Sequence, residues 1–284
     1  MATTFQPLPL TGWQETRDTL AGYARFVRRI RQYNTPHQKH FWHVSLRPTT
    51  TGLTTTPIRA VDGTIYELEF DLTRHVLLVK TSKGDVREVA LTGQSRKAFK
   101  EQTLAALAEL GISPEYDLDE FNDDTPGVYD KTAVTRFWDS LIEIDTILKE
   151  FRYSFNEESS PVQLWPHHFD LAVVWFSGRK VPGQDPNDPE HAHEQMNFGF
   201  STGDGGIPEP YFYATAYPVP EGWMGSELPD GATWHSQGWS GAVLSYQRLV
   251  ESENGRQLLL DFLHTTHRAG AEKMKEPQTA ATAV

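Results

Sequence analysis

The chain contains no cysteine among its 284 residues. That removes disulfides, a thiolate nucleophile and any cysteine-ligated metal at once. No apolar run approaches the roughly 20 residues needed to span a bilayer, and the N-terminus lacks a charged-then-apolar leader. Positive charge is also in deficit. With 26 Lys and Arg against 38 Asp and Glu, the net charge is −12, which argues against nucleic acid or an anionic membrane as the main partner. The expectation is a cytoplasmic protein whose partner is a small-molecule ligand. One basic cluster, Arg25, Arg28, Arg29 and Arg31, falls late in a predicted helix, where a solvated face complementing the helix dipole accounts for it.

Aromatic residues are abundant instead, with eight Trp, fifteen Phe and ten Tyr, enough for a substantial core. Thr11 to Gln14 matches a capping box, followed by a helical stripe of Trp13, Leu20, Tyr23, Val27 and Ile30. Threonines and aromatics in 40–58 favour strand. Tyr66, Leu68, Phe70 and Leu72 alternate with Glu67, Glu69 and Asp71, which predicts a half-buried strand with an exposed acidic row. Turns at 73–74 and 82–85 continue it as an antiparallel meander. Ser95 caps a second helix and Asp130 a third, whose apolar stripe runs from Val134 to Phe155. Strands are expected near 162–165, 168–176, 195–200 and 210–217, then a last helix that frays beyond Gly270.

The fold class that follows is α+β, a mostly antiparallel sheet with packed helices in two similarly ordered halves of helix, strands and helix. The halves are expected at 1–112 and 130–270, with an acidic connector at 113–129 and a disordered tail at 271–284.

Polar chemistry concentrates between Pro161 and Pro218. Asp170 opens an otherwise apolar strand, so burial demands a partner for it: an arginine, backbone N–H groups, a metal or a ligand. Arg152, on the helix edge with Asp145 and Lys149, is one such arginine. Arg179 offers a guanidinium fork to an anionic group. His193 beside Glu194 suits acid–base chemistry. His191 and His193 share a strand face and are the weak metal candidates, because no third ligand completes the set. Tyr211, Tyr213 and Tyr217 share a face that could stack on a sugar or aromatic ligand. His43 faces away from His40 if the segment is a strand. No phosphate loop and no serine-hydrolase elbow is present.

Several stretches resemble an uncharacterised bacterial family, the domain of unknown function numbered 5996. They are HFWHV (40–44), GLTTTPI (52–58), FDLTRH (70–75), LKEFR (148–152), SPV (160–162), FDLAVVWFSGR (169–179), the pair His193–Glu194, and PEPYFYATAYP (208–218). The resemblance implies no reaction. It implies that His40, His43, Asp71, His75, Arg152, Ser160, Asp170, Arg179, His193, Glu194 and Glu209 belong to the shared pattern, whereas Gln163, His167, His168 and Ser201–Gly203 depart from it.

The reading is a small organic molecule, anionic or neutral, bound in one pocket between the halves. His193, Glu194 and Asp170 would be the catalytic groups, and Arg179, His43, Arg152, Glu209 and Tyr213 the ligand-binding ones. A non-catalytic binding or sensing module and a His/carboxylate metal-dependent enzyme are the alternatives. The residues specify no cofactor and no oligomeric state.

Overall fold

A computed structural model describes residues 5–117 and 119–275. The chain divides into two compact units. One comprises Thr11–Ile142 and Gln163–Phe169; the other comprises Met1–Leu10, Glu143–Val162 and Asp170–Val284. Among the described residues no helix is long and apolar enough to cross a membrane.

The first unit begins with α1 (Gln14–Asn34). The expected capping box does not form: Thr11 lies in a 3-10 turn, and Trp13 is the N-cap with no side-chain cap bond. Six strands follow: β1 (Arg47–Pro48), β2 (Gly52–Thr54), β3 (Ile58–Arg59), β4 (Ile65–Asp71), β5 (Val76–Thr81) and β6 (Val86–Ala90). They form an antiparallel sheet in the order β1-β2-β4-β5-β6, with β3 also on β4. Helix α2 (Arg96–Glu109) starts where Ser95 Oγ accepts from the Ala98 N–H at 3.1 Å, the predicted cap. Phe99 of α2 is the hub of the core. It stacks on Tyr23 with ring centroids 4.0 Å apart and meets Phe26 edge-on and Phe70 face to face.

Two strand expectations fail here. The segment 39–44 is a pair of 3-10 turns, with His40 and Phe41 left-handed at φ 53° and 55°. Aromatic β-propensity was overridden by local turn geometry. The acidic row on β4 is not exposed either, since Glu69 and Asp71 are buried. Glu69 accepts from Thr49 and Thr51 and pairs with Lys80. Asp71 Oδ1 takes the Thr73 and Arg74 N–H groups and the Thr73 hydroxyl, closing the β4–β5 turn.

Asp130 caps α3 (Lys131–Tyr153) through the N–H groups of Thr132 and Ala133. The division between units falls within this helix, after Ile142. Strand β7 (Gln163–Trp165) belongs to the first unit, where Leu164 bridges Leu46.

The second unit is built on β8 (Asp170–Lys180), β9 (His193–Ser201), β10 (Tyr211–Tyr217), β11 (Ala232–His235) and β12 (Gly241–Ser245). Their order is β11-β12-β10-β9-β8, every pair antiparallel. Alternation divides this sheet into two faces. Met196, Phe198 and Phe200 of β9 and Phe212, Ala214 and Ala216 of β10 are buried on one. That face is covered by α4 (Tyr246–Glu251), by α5 (Gly255–Lys275) and by Phe151 at the end of α3. The expected fraying beyond Gly270 is not seen, because α5 is helical to Lys275; the rest of the expected tail, 276–284, lies outside the described residues.

Candidate functional site

The opposite face of the second sheet carries Asp170 and Ala172 of β8, Asn197 and Gly199 of β9, and Tyr211, Tyr213, Thr215 and Tyr217 of β10. Register places Ala172, Gly199 and Tyr213 side by side. Glycine in mid-strand leaves a gap in the side-chain carpet, and Tyr213 fills it. A Cβ on Gly199 would fall 2.5 Å from the Tyr213 hydroxyl oxygen and 2.6 Å from Cζ. The ring therefore lies flat across β9, and its hydroxyl donates to Asp170 Oδ2 at the start of β8. The partner that burial demands of Asp170 is thus a phenol, a group outside the four expected kinds. Burial and the Asp170 charge together hold the Tyr213 hydroxyl well above the ordinary tyrosine range.

A second tyrosine–carboxylate pair stands beside the first. Tyr211 donates to Asp204 Oδ2 at 2.6 Å, and the N–H groups of Gly206 and Ile207 donate to Asp204 Oδ1. Burial opposes ionisation of Asp204, but these three hydrogen bonds outweigh it and its pKa is lowered. The glycine-rich turn 203–206 thus serves to cradle a carboxylate. Trp239, from the β11–β12 hairpin, folds back over the sheet. It is parallel to Tyr211 at 6.3 Å, edge-on to Tyr213 at 6.4 Å, and 4.4 Å from the His235 ring. Tyr213, His235 and Trp239 are half-buried, so solvent reaches this aromatic group.

The other expected residues scatter. His193 and Glu194 are adjacent in sequence but lie on opposite faces of β9. The His193 ring packs 6.2 Å from Phe176. Glu194 is buried on the helix-covered side, accepting from Ser177 Oγ at 2.7 Å and from Arg179 Nε at 2.8 Å and Nη2 at 3.4 Å. The guanidinium expected to anchor an anion is therefore matched within the chain. Separation along a straight strand kept Arg179 from Asp170, while a bulge between Phe176 and Lys180 brings it to Glu194. Arg152 does not reach Asp170 either; its Nε donates to the Ser160 carbonyl at 2.8 Å. Glu209 is exposed in the β9–β10 connection. His43 lies in the other unit, buried, with its Nδ1 accepting from the Gln38 N–H at 3.3 Å. His191 is exposed near Asp188, against the Tyr217 ring at 5.0 Å. Among the described residues no group of three or more His, Asp or Glu side chains is placed to hold a metal.

Sequence reasoning missed Trp239, His235 and Asp204 as members of one surface. The legible clue was Gly199, an unexplained glycine inside a strand that pairs with an aromatic-rich neighbour.

A family model described as "Family of unknown function (DUF5996)" matches residues 5–283. Neither a curated protein nor a solved structure matches the chain.

Proposed function

The chain belongs to the DUF5996 family, and we propose that it binds a small, uncharged, ring-bearing molecule on the Tyr211–Tyr213–Trp239 face. The observation that carries this reading is the pairing of a solvent-reached aromatic group with two carboxylates fixed behind it. Flat rings offer stacking area to a sugar or an aromatic ring at low entropic cost. Asp204, exposed and held ionised, presents acceptor oxygens to hydroxyl groups of a ligand, while buried Asp170 fixes the Tyr213 ring from behind. An anion would meet the Asp204 carboxylate, and Arg179 is paired with Glu194, which disfavours the anionic ligand expected from Arg179. The division of His193 and Glu194 between faces leaves proton transfer by that pair without geometric support, so binding is the better-supported reading.

The test is saturation-transfer NMR of the full chain with a panel of monosaccharides, disaccharides and neutral aromatic metabolites. At least one is expected to receive saturation from the protein, and Trp239→Ala is expected to weaken it by roughly tenfold or more. A panel that binds equally well to Trp239→Ala and to the parent protein refutes the assignment of the surface.

A further inference from the structure

The basic cluster on α1 remains outside this reading. Arg25 and Arg28 stand one helical turn apart. Arg25 Nη2 donates to the His167 carbonyl at 3.4 Å, which brings α1 against the turn 165–169. That turn is tightly specified. Phe169 N–H donates to the Trp165 carbonyl at 2.7 Å, Phe169 is left-handed at φ 57°, and its ring is buried 5.5 Å from Phe137. The anchored Phe169 leaves His167 and His168 exposed, rings 4.2 Å apart. Trp165 meets His167 edge-on at 5.9 Å.

Positive charge is in excess here: Arg17 and Arg96 act on Arg25, and Arg29 on Arg28, against the acids Asp18 and Glu120. Arg28 Nε is buried with no hydrogen-bond partner among the described residues. The nearby acids are engaged elsewhere: Glu120 with Arg29 Nε and Asp18 with Arg17 Nε at 2.6 Å. Although the residue is exposed, its ring is partly desolvated against His168 and Trp165, and the charges of His168, Arg28 and Arg25 act in the same sense, so the His167 pKa is lowered. At neutral pH the cluster therefore holds two fixed guanidinium charges beside the uncharged His167 imidazole, and both imidazole rings carry N–H groups to donate.

We propose that Arg25, Arg28 and the His167–His168 turn bind a doubly charged oxyanion of the phosphate-monoester type. Two guanidinium forks match a dianion in charge and offer paired donors to its oxygens. The imidazoles supply further N–H donors. On a chain of net charge −12, a cluster with positive charge in excess is a local exception that attracts anions against the overall field. The site lies in the first unit and stands independently of the aromatic face.

The probes are inorganic phosphate and glycerol 2-phosphate, titrated into the full-length protein at constant ionic strength while the imidazole resonances are followed by NMR. Saturable shifts of His167 and His168 are expected. Arg28→Gln is expected to weaken binding about tenfold or more, Arg28→Lys less, and Arg87→Gln, whose side chain pairs with Glu109, not at all. Trp239→Ala should leave phosphate binding unchanged, separating this site from the proposed aromatic one. If Arg28→Gln fails to fold by circular dichroism, Arg25→Gln on the exposed side carries the same expectation. Shifts that track ionic strength without saturating, binding untouched by loss of either arginine, or equal binding of succinate would each overturn the proposal.

Discussion

Replacing Gly199 with alanine tests how the aromatic face is assembled. The new methyl would stand 2.5 Å from the Tyr213 oxygen, 2.6 Å from Cζ and 2.8 Å from Cε1, whereas carbon atoms in contact rest at about 3.5–4.0 Å. The ring must retreat by roughly 1 Å, which carries its hydroxyl out of hydrogen-bond range of Asp170. Loss of a bond to a buried charged acceptor costs about 1.5–3 kcal/mol, and overpacking adds about 1–3 kcal/mol. Alanine's better fit to a strand offsets up to about 1 kcal/mol. The net destabilisation is therefore about 1.5–6 kcal/mol. Tyr213→Phe, which removes only the hydrogen bond, should cost about 1.5–3 kcal/mol. Urea denaturation at 25 °C, followed by near-ultraviolet circular dichroism, measures both. The double variant decides the mechanism, because the hydrogen bond can be lost only once and the two costs must fall short of additivity. Strict additivity, or a Gly199→Ala protein as stable as its parent, would refute the flat-ring arrangement.

Three further outcomes follow from features of the two units. Gly52→Ala would drive a methyl to 1.7 Å from the Phe70 carbonyl oxygen on β4, a clash with backbone that no rotamer relieves, so it should lose soluble expression or unfold well below the parent in a thermal melt. Asp71→Ala removes the acceptor of three hydrogen bonds at the β4–β5 turn and should destabilise by about 1–3 kcal/mol in the same urea assay; a change under about 0.5 kcal/mol contradicts the buried-turn role. His267 is lowered to about 4, chiefly by burial, with His264 and Lys275 lowering it further against the opposing charge of Glu157. Phe151, Phe155, Trp175 and Phe198 ring it. The unfolded chain protonates this imidazole near pH 6.5 and the folded chain only near 4, so stability is lost as pH falls through that window. His267→Phe should flatten the decline between pH 6.5 and 4 in denaturation midpoints, and an unchanged slope would assign the acid sensitivity elsewhere.

Where side-chain pattern and secondary structure coincide, the chain could be read directly. The alternation in 65–72, the cap at Ser95 and the stripe of α3 each name their element, because period and capping chemistry act locally. The strand bearing Asp170 and the demand for a buried partner were also legible, since an apolar run cannot hold a lone carboxylate. What could not be read was which group answers that demand. Asp170 and Tyr213 are 43 positions apart and meet only through the registers of two strand pairs. The fate of Arg179 turns on one bulge, which re-aims a side chain without a residue signature of its own. Segment 39–44 misled for the opposite reason. Its aromatics have strand propensity, but they are held in turns by contacts such as Phe41 N–H to the Gln38 carbonyl at 3.1 Å.

The division of the chain into interleaved segments governs how it can be synthesised and cut. The first unit takes in Gln163–Phe169, and the second takes in residues before Thr11 as well as those after Asp170. A ribosome that has released the first 142 residues has therefore not yet supplied Leu164, whose N–H and carbonyl both bond to Leu46 at 2.8 and 2.9 Å. Neither unit is finished until the chain has passed its midpoint, so vectorial folding from the N-terminus stalls short of a complete unit. Likewise no single proteolytic nick frees either unit whole, and a cut after Ile142 or Val162 parts β7 from the rest of the first unit.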